Sequence, residues 1–282
     1  MSSPNPFVVH HDAFRAILGK GPTLDLLAEK SYPFAHEAGI FIAPRNELVQ
    51  ITRVHLDHAG PSGPVTCEEI SAPVPMANGG INYKDGIIIC AQGSMEAPTT
   101  STAGRPFNSV NDVVVHSDGT IWFTDPIYEY EQGYRPAPRL PKQVYRFNPV
   151  DGSIRAMADG FGRPNGICFS LDEKVVYVTD TDWLHGDGTT DDTRPSSIYA
   201  FDVVSYHGQP FLTNRRLFAI ADTTIPDGIK CGMNGNLLGR ILVEEGIANF
   251  CFGAQGEMFL LNENRLWRAK LKGNIKGALL GL

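Results

Sequence analysis

Apolar residues in this chain come in short runs, rich in Val, Ile, Phe and Tyr and bounded by Gly, Asn, Asp or Pro. Runs of that length and composition predict β-strands rather than helices. The pattern places strands at 39–42, 86–90, 113–115, 121–124, 144–147, 166–169, 175–179, 198–201 and 258–261. Helix is expected only near the start, at 12–20 and 23–29. Turn pairs separate the runs: Asp85-Gly86, Asp118-Gly119, Asp151-Gly152, Asn234-Gly235 and Gln255-Gly256.

Whole strand-turn-strand units repeat. Asn111-Asp112 opens a run that passes through Asp118-Gly119 to Ile121-Trp122-Phe123-Thr124-Asp125, and Asn165-Gly166 opens one that ends in Val175-Val176-Tyr177-Val178-Thr179-Asp180. An aromatic strand follows each, Val144-Tyr145-Arg146-Phe147 and Ile198-Tyr199-Ala200-Phe201. Asn111 and Asn165 are 54 residues apart, and Asn165 and Asp227 are 62 apart. Repeats of about 40–50 residues carrying four strands are the signature of propeller blades, lengthened here by loops. The fold class is therefore read as all-β, a β-propeller. Its domain spans 35–282, preceded by an N-terminal segment, 1–34, with a short helix. One blade reads as shortened: after Cys231 no second strand follows, and the opener Asn249 comes only 22 residues after Asp227. Either the ring is incomplete there or neighbouring segments re-pair.

Composition narrows the chemistry. The formal charge is −7, with no run of Lys or Arg, so nucleic acid and anionic membranes are not expected partners. The 5 cysteines are widely spaced without a Cys-x-x-Cys pair, which fits neither a disulfide framework nor a zinc ribbon. With neither a signal-like apolar block at the start nor a membrane-length apolar run, a soluble cytoplasmic protein acting on a small molecule is expected. The oligomeric state is not readable.

Familiar catalytic motifs are missing. There is no Gly-x-Ser-x-Gly elbow, Walker loop or His-Glu-x-x-His helix. Asp180-Thr181-Asp182 starts like an EF-hand loop but has His185 at position six and Asp191 at position twelve. Asp187, Asp191 and Asp192 are read as a solvated loop in preference to a secondary ion site. His55 and His58 have no third metal ligand nearby.

What remains are the polar residues that open the repeated units: Glu37, Asn111, Asn165 and Asp227. In a propeller such positions converge on the central channel. Two carboxylates and two amide oxygens form a hard set whose charge balances one divalent cation, favouring Ca²⁺ over Zn²⁺. The competing reading is that Pro-Asn-Gly and Pro-Asp-Gly are simply turn formers. Asp112 is read either as orienting a neighbour or as a turn cap.

The stretches SVNDVVVHSDGTIWFTDP (109–126), RPNGICFSLDEKVVYVTD (163–180) and IPDGIK (225–230) resemble the gluconolactonase, senescence marker protein and luciferin-regenerating enzyme family. A weaker match covers Glu37 through Phe41. The resemblance implies a six-bladed propeller with a calcium-dependent hydrolase activity, and a metal held by Glu37, Asn165 and Asp227. It implies for Asn111 either a metal or a substrate contact. The function expected is opening of a lactone by a polarised carbonyl and an activated water, with Asp227 as general base. The alternative is a non-catalytic propeller that uses its ion for rigidity and serves as a binding module. Tyr128 and Glu129, in the irregular segment 126–141, are candidate substrate contacts as part of a lid or surface loop. Arg105 and Asn108, just before the Asn111 unit, are further candidates.

Overall fold

The computed structural model describes residues 5–37, 39–42, 47–49, 52–56, 65–70, 77–84, 86–91, 104–221, 224–231 and 238–275. It forms two compact units, one of residues 1–71 with 232–282 and one of residues 72–231. No helix among the described residues is long and apolar enough to cross a membrane.

The first unit begins with β1 (Phe7–Val9), α1 (Asp12–Leu18) and β2 (Thr23–Glu29). His11 caps α1 by accepting the Ala13 N–H on Nδ1 at 3.0 Å, and the helix ends at Gly19, whose φ of 73° carries the chain out. Phe14 and Leu18 bury its inner face with Phe7. β3 (Ile40–Ile42), β4 (Glu47–Val49), β5 (Thr52–His55) and β6 (Thr66–Glu69) then form a four-stranded meander.

The helix expected at 23–29 is instead a strand. β2 pairs antiparallel with the last strand of the unit, from Thr23 opposite Lys270 to Glu29 opposite Arg265. Seven residues make less than two helical turns, too few for a helix to persist without packing. A β-bulge between Leu26 and Ala28 turns Leu27 into the core and breaks the alternation, so the segment reads as helical spacing.

The second unit holds ten strands among its described residues. β7 (Ala77–Tyr83) and β8 (Gly86–Ala91) make a hairpin. β9 (Val113–Val115), β10 (Ile121–Asp125), β11 (Gln143–Phe147) and β12 (Ile154–Ala158) form one four-stranded meander, with the short α2 (Tyr128–Glu131) between β10 and β11. β13 (Pro164–Phe169), β14 (Val175–Asp180), β15 (Ser197–Tyr206) and β16 (Gln209–Ile220) form the next. Trp122, Val144, Ile167, Phe169, Val176 and Val178 close a core between these two sheets.

The chain returns to the first unit through residues 232–237, outside the described set, so the Asn234-Gly235 turn is untested. β17 (Gly239–Ile241) then pairs antiparallel with β1. β18 (Asn249–Phe252), β19 (Glu257–Asn262) and β20 (Arg265–Lys270) make a meander that β2 completes as its fourth strand.

The repeated Thr-Asp at the ends of β10 and β14 does the same work twice. Thr124 Oγ1 donates to the Asn165 carbonyl at 2.6 Å and accepts the Asp112 N–H at 3.1 Å. Thr179 Oγ1 donates to the Asp227 carbonyl at 2.9 Å and accepts the Gly166 N–H at 2.7 Å. Each hydroxyl therefore ties the opening of its own repeat to the opening of the next. The aspartates cap the loops leading in: Asp125 accepts the N–H groups of Asn108 at 3.0 Å and Ser109 at 2.7 Å. Asp180 accepts those of Gly162 at 3.0 Å and Arg163 at 2.7 Å. Asp112 adds a further tie, its Oδ2 accepting the Ile167 N–H at 3.1 Å and its Oδ1 that of Val113 at 2.8 Å.

Removing the hydroxyl in Thr124→Val or Thr179→Val strips a buried N–H of its acceptor. Each variant is expected to lose about 1–3 kcal/mol in urea unfolding. Unchanged midpoints would show that the ties carry no stability. The aspartate caps also make stability depend on pH. Burial raises the Asp125 carboxyl to about 7 despite its two N–H partners, with the Glu129 charge adding to the rise. Burial likewise raises Glu129 to about 7. Both carboxyls hold protons in the folded chain over a range where the unfolded chain has released them. Stability should therefore fall as pH rises from about 4 to about 7. In Asp125→Asn or Glu129→Gln the urea midpoint should vary less over that range, and an unchanged slope would contradict the assignment.

Candidate active site

Three of the sequence-predicted openers lie in the second unit. Asn111 sits two residues before β9, Asn165 is the second residue of β13, and Asp227 lies outside any strand in the segment 224–231. Backbone contacts fix all three. Gly79 on β7 donates its N–H to the Asn111 carbonyl at 2.8 Å, and the two threonines hold the carbonyls of Asn165 and Asp227. Gly166 lets the Asp227 segment approach: a Cβ there would lie 2.5 Å from the Asp227 carbonyl oxygen and 2.8 Å from the Ile229 nitrogen.

The side chains are oriented by a chain of hydrogen bonds. Asn165 Nδ2 donates to Tyr128 Oη at 3.3 Å, Tyr128 Oη lies 2.5 Å from Thr181 Oγ1, and Thr181 Oγ1 donates to the Arg163 carbonyl at 3.2 Å. With Thr181 donating to that carbonyl, Tyr128 donates to Thr181 and accepts from Asn165. The amide nitrogen of Asn165 is thereby committed to Tyr128, and its Oδ1 is turned elsewhere. Asn165 Oδ1 and Asn111 Oδ1 are both buried without a hydrogen-bond partner among the described residues. Asp227 also buries its Oδ1. Burial raises the Tyr128 hydroxyl well above its ordinary value and the Asp227 charge raises it further, which puts that carboxylate in electrostatic reach of the tyrosine.

The lid or loop expected at 126–141 is anchored. Glu131 accepts from Arg163 Nε at 3.0 Å and from the Gly186 N–H at 2.8 Å, and Arg163 also pairs with Asp182. Arg163 and Asp182 are buried and Glu131 is partly buried, so breaking the network would leave an unpaired charge inside. It clamps α2, and with it Tyr128, onto the start of β13. Glu129 is fully buried.

The remaining candidates are engaged elsewhere. Asn108 uses both ends of its amide on the Leu140 backbone, donating at 3.0 Å and accepting at 3.2 Å. The exposed Arg105 donates to the Arg139 carbonyl at 3.1 Å. Neither bonds to the Asn165–Tyr128–Thr181 chain. Glu37 belongs to the first unit, where it is buried and accepts from Asn249 Nδ2 at 2.5 Å. His55 faces Glu68 at 3.4 Å, and His58 lies outside the described residues. Asp187 and Asp191 cap their own turns at Thr189 and Thr193, as a solvated loop would.

Two participants were not expected from sequence. Thr181 follows the Thr179-Asp180 pair directly, and nothing in its own type marks it. Asn249 occupied an opener position, and that position was the signal for its pairing with Glu37. Among the described residues no three His, Cys, Asp or Glu side chains cluster as a metal site. The donors available in the second unit are amide and carboxylate oxygens, which suit a hard cation rather than zinc.

Comparison with known proteins agrees with this frame. The SMP-30/gluconolactonase/LRE-like region matches residues 50–258. The lactonohydrolase oryL of Aspergillus oryzae is 28% identical over an alignment covering 85% of this chain and 65% of that protein. A gluconolactonase of Zymomonas mobilis is 27% identical over 60% of this chain and 52% of that protein. The chain thus spans less than two-thirds of the length of either relative. Among solved structures, a gluconolactonase from Xanthomonas campestris superposes with a TM-score of 0.73 at 25% identity, covering 96% of both chains. A luciferin-regenerating enzyme superposes with a TM-score of 0.60 at 12% identity, covering 93% of this chain and 100% of that one, and shares the fold. The matched span contains both Asn-opened repeats and the Asp227 segment, and the chain belongs to the SMP-30/gluconolactonase/LRE-like family.

Proposed function

We propose that this protein is a lactonase that opens its substrate at the Asn111, Asn165 and Asp227 cluster with the help of a bound divalent cation, Ca²⁺ by the hardness of its donors. The observation that carries the reading is the pair of buried amide oxygens, Asn111 Oδ1 and Asn165 Oδ1, unpartnered among the described residues. A buried acceptor left unpaired costs about 1–3 kcal/mol, and a hard cation compensates that cost directly. The names of the relatives supply the substrate class: lactonohydrolase and gluconolactonase. The meanders β9–β12 and β13–β16 support the propeller reading, each standing as one blade, with six blades proposed in all.

Asn111, Asn165 and Asp227 would hold the ion, which when bound supplies Lewis-acid polarisation of the lactone carbonyl. Asp227 would accept the proton of the attacking water on its carboxylate. Tyr128, locked between Asn165 and Thr181, keeps the Asn165 oxygen aimed away from its own amide partner. Water exclusion falls to α2, which Arg163 clamps down through Glu131. Tyr128 is a candidate substrate contact, because its hydroxyl accepts from Asn165 and feels the Asp227 charge.

The test is hydrolysis of gluconolactone by the purified protein, measured above the spontaneous rate with added Ca²⁺ and with EDTA, alongside calorimetric Ca²⁺ binding. Chelation should abolish turnover, and Asn165→Ala should weaken ion binding. Asp227→Asn should lower kcat by roughly 100-fold or more. Glu37→Gln in the same assays tests the fourth oxygen donor expected from sequence. Turnover indifferent to EDTA would defeat the metal-assisted mechanism. Tight ion binding without turnover of any lactone would replace it by the binding-module alternative.

A further inference from the structure

A second pair of reactive groups lies beside this cluster and takes no part in it. Cys168 Sγ on β13 is 2.8 Å from Cys231 Sγ, closer than unbonded sulfurs ordinarily sit, and both cysteines are thiols. The register that brings them together is built into the backbone. Gly166, without a Cβ, lies against residues 227–229, and a Cβ there would come within 3.1 Å of three of their backbone atoms. Cys168 is two residues beyond Gly166, and Cys231 is two residues beyond Ile229. The two chain segments therefore advance side by side and deliver their sulfurs to one point. The thiols also differ in access: Cys168 is buried, whereas Cys231 is half-buried.

We propose that Cys168 and Cys231 form a redox-sensitive pair that closes to a disulfide when the protein meets a low-molecular-weight disulfide such as oxidised glutathione. The Cys231 thiolate attacks one sulfur of the small disulfide, forming a mixed disulfide and releasing one small thiol. The Cys168 thiol then gives up its proton and attacks Cys231 Sγ, which expels the second small thiolate, and that thiolate takes a proton. Two protein thiols are oxidised and one small disulfide is reduced to two thiols. The order follows from access, because the oxidant reaches Cys231 first. Burial also pushes the Cys168 thiol well up, so its proton leaves only once the adjacent sulfur is activated. Closure would tie the segment carrying Asp227 covalently to the strand carrying Asn165, four residues from the one and three from the other. The inference does not depend on which substrate, if any, is turned over.

The fully reduced, full-length protein is incubated with oxidised glutathione, then denatured and alkylated. Alkylatable thiols should fall from 5 by two, with peptide mapping placing the link between Cys168 and Cys231. Added reductant should restore all of them. Cys168→Ser should trap glutathione on Cys231, because the resolving thiol is gone. Should that variant fail to fold, the map of the unsubstituted protein decides alone. Retention of every thiol, a lasting glutathione adduct on Cys231 in the unsubstituted protein, or a link joining any other pair would overturn the proposal. The linked form should also unfold at a higher urea concentration than the reduced form, and equal midpoints would show that the bond does not span the native contact.

Discussion

The second unit depends on one buried hydroxyl per repeat. Thr124 and Thr179 each accept an N–H from the start of their own sheet and donate to the carbonyl that starts the next. A side chain with one donor and spare lone pairs can do both at once, and few alternatives of that size can. The hydrophobic core between the sheets supplies cohesion without direction. The hydroxyls supply register, and so fix where the backbone of each opener lies. Asn111, Asn165 and Asp227 are neighbours of that arrangement rather than its cause. Their placement is inherited from hydrogen bonds made by residues that carry no chemistry of their own.

This division of labour separates what is tightly held from what is available. The backbones of Asn165 and Asp227 are committed, while the amide oxygen of Asn165 is not. The Tyr128–Thr181 relay extends the same logic, because an amide that must donate to a fixed phenol cannot flip. The Arg163–Glu131 ion pair then holds the phenol's own helix. A four-residue helix has almost no stability by itself, so the position of Tyr128 is set by Arg163 and Glu131 rather than by helix propensity.

Much of this was legible from sequence where local pattern and tertiary structure agree. The Val-, Ile- and Phe-rich runs became β3, β8–β11, β13–β15 and β19 within two residues at either end, apart from the extension of β15 to Tyr206. The repeat located Asn111 and Asn165 as equivalents. Pattern failed where the partner strand, not the residues, decides the state. β2 carries a bulge that disguises its alternation, β6 reads Thr-Cys-Glu-Glu, and β7 contains two glycines. At the candidate site, the amide and carboxylate side chains of Asn111, Asn165 and Asp227 were visible because they sit at repeat openings. Their supporting partners were not, because hydrogen bonds such as Asn165 to Tyr128 span loops whose course no local preference determines. Asn108 shows the converse: a polar residue beside a motif can be fully occupied by a neighbouring backbone.

The pairing of β2 with β20 also bears on how the chain is made. Leu26 and Trp267 face each other across that ladder although some two hundred and forty positions separate them along the backbone. Contacts so remote in sequence are slow to form, since a long loop must close before any of them contributes. During synthesis the early strand leaves the ribosome long before its mate exists, and must pass that interval with neither edge paired. Completion of this sheet is thus a late event, and until then the unpaired edges of β2 are open to pairing with another chain.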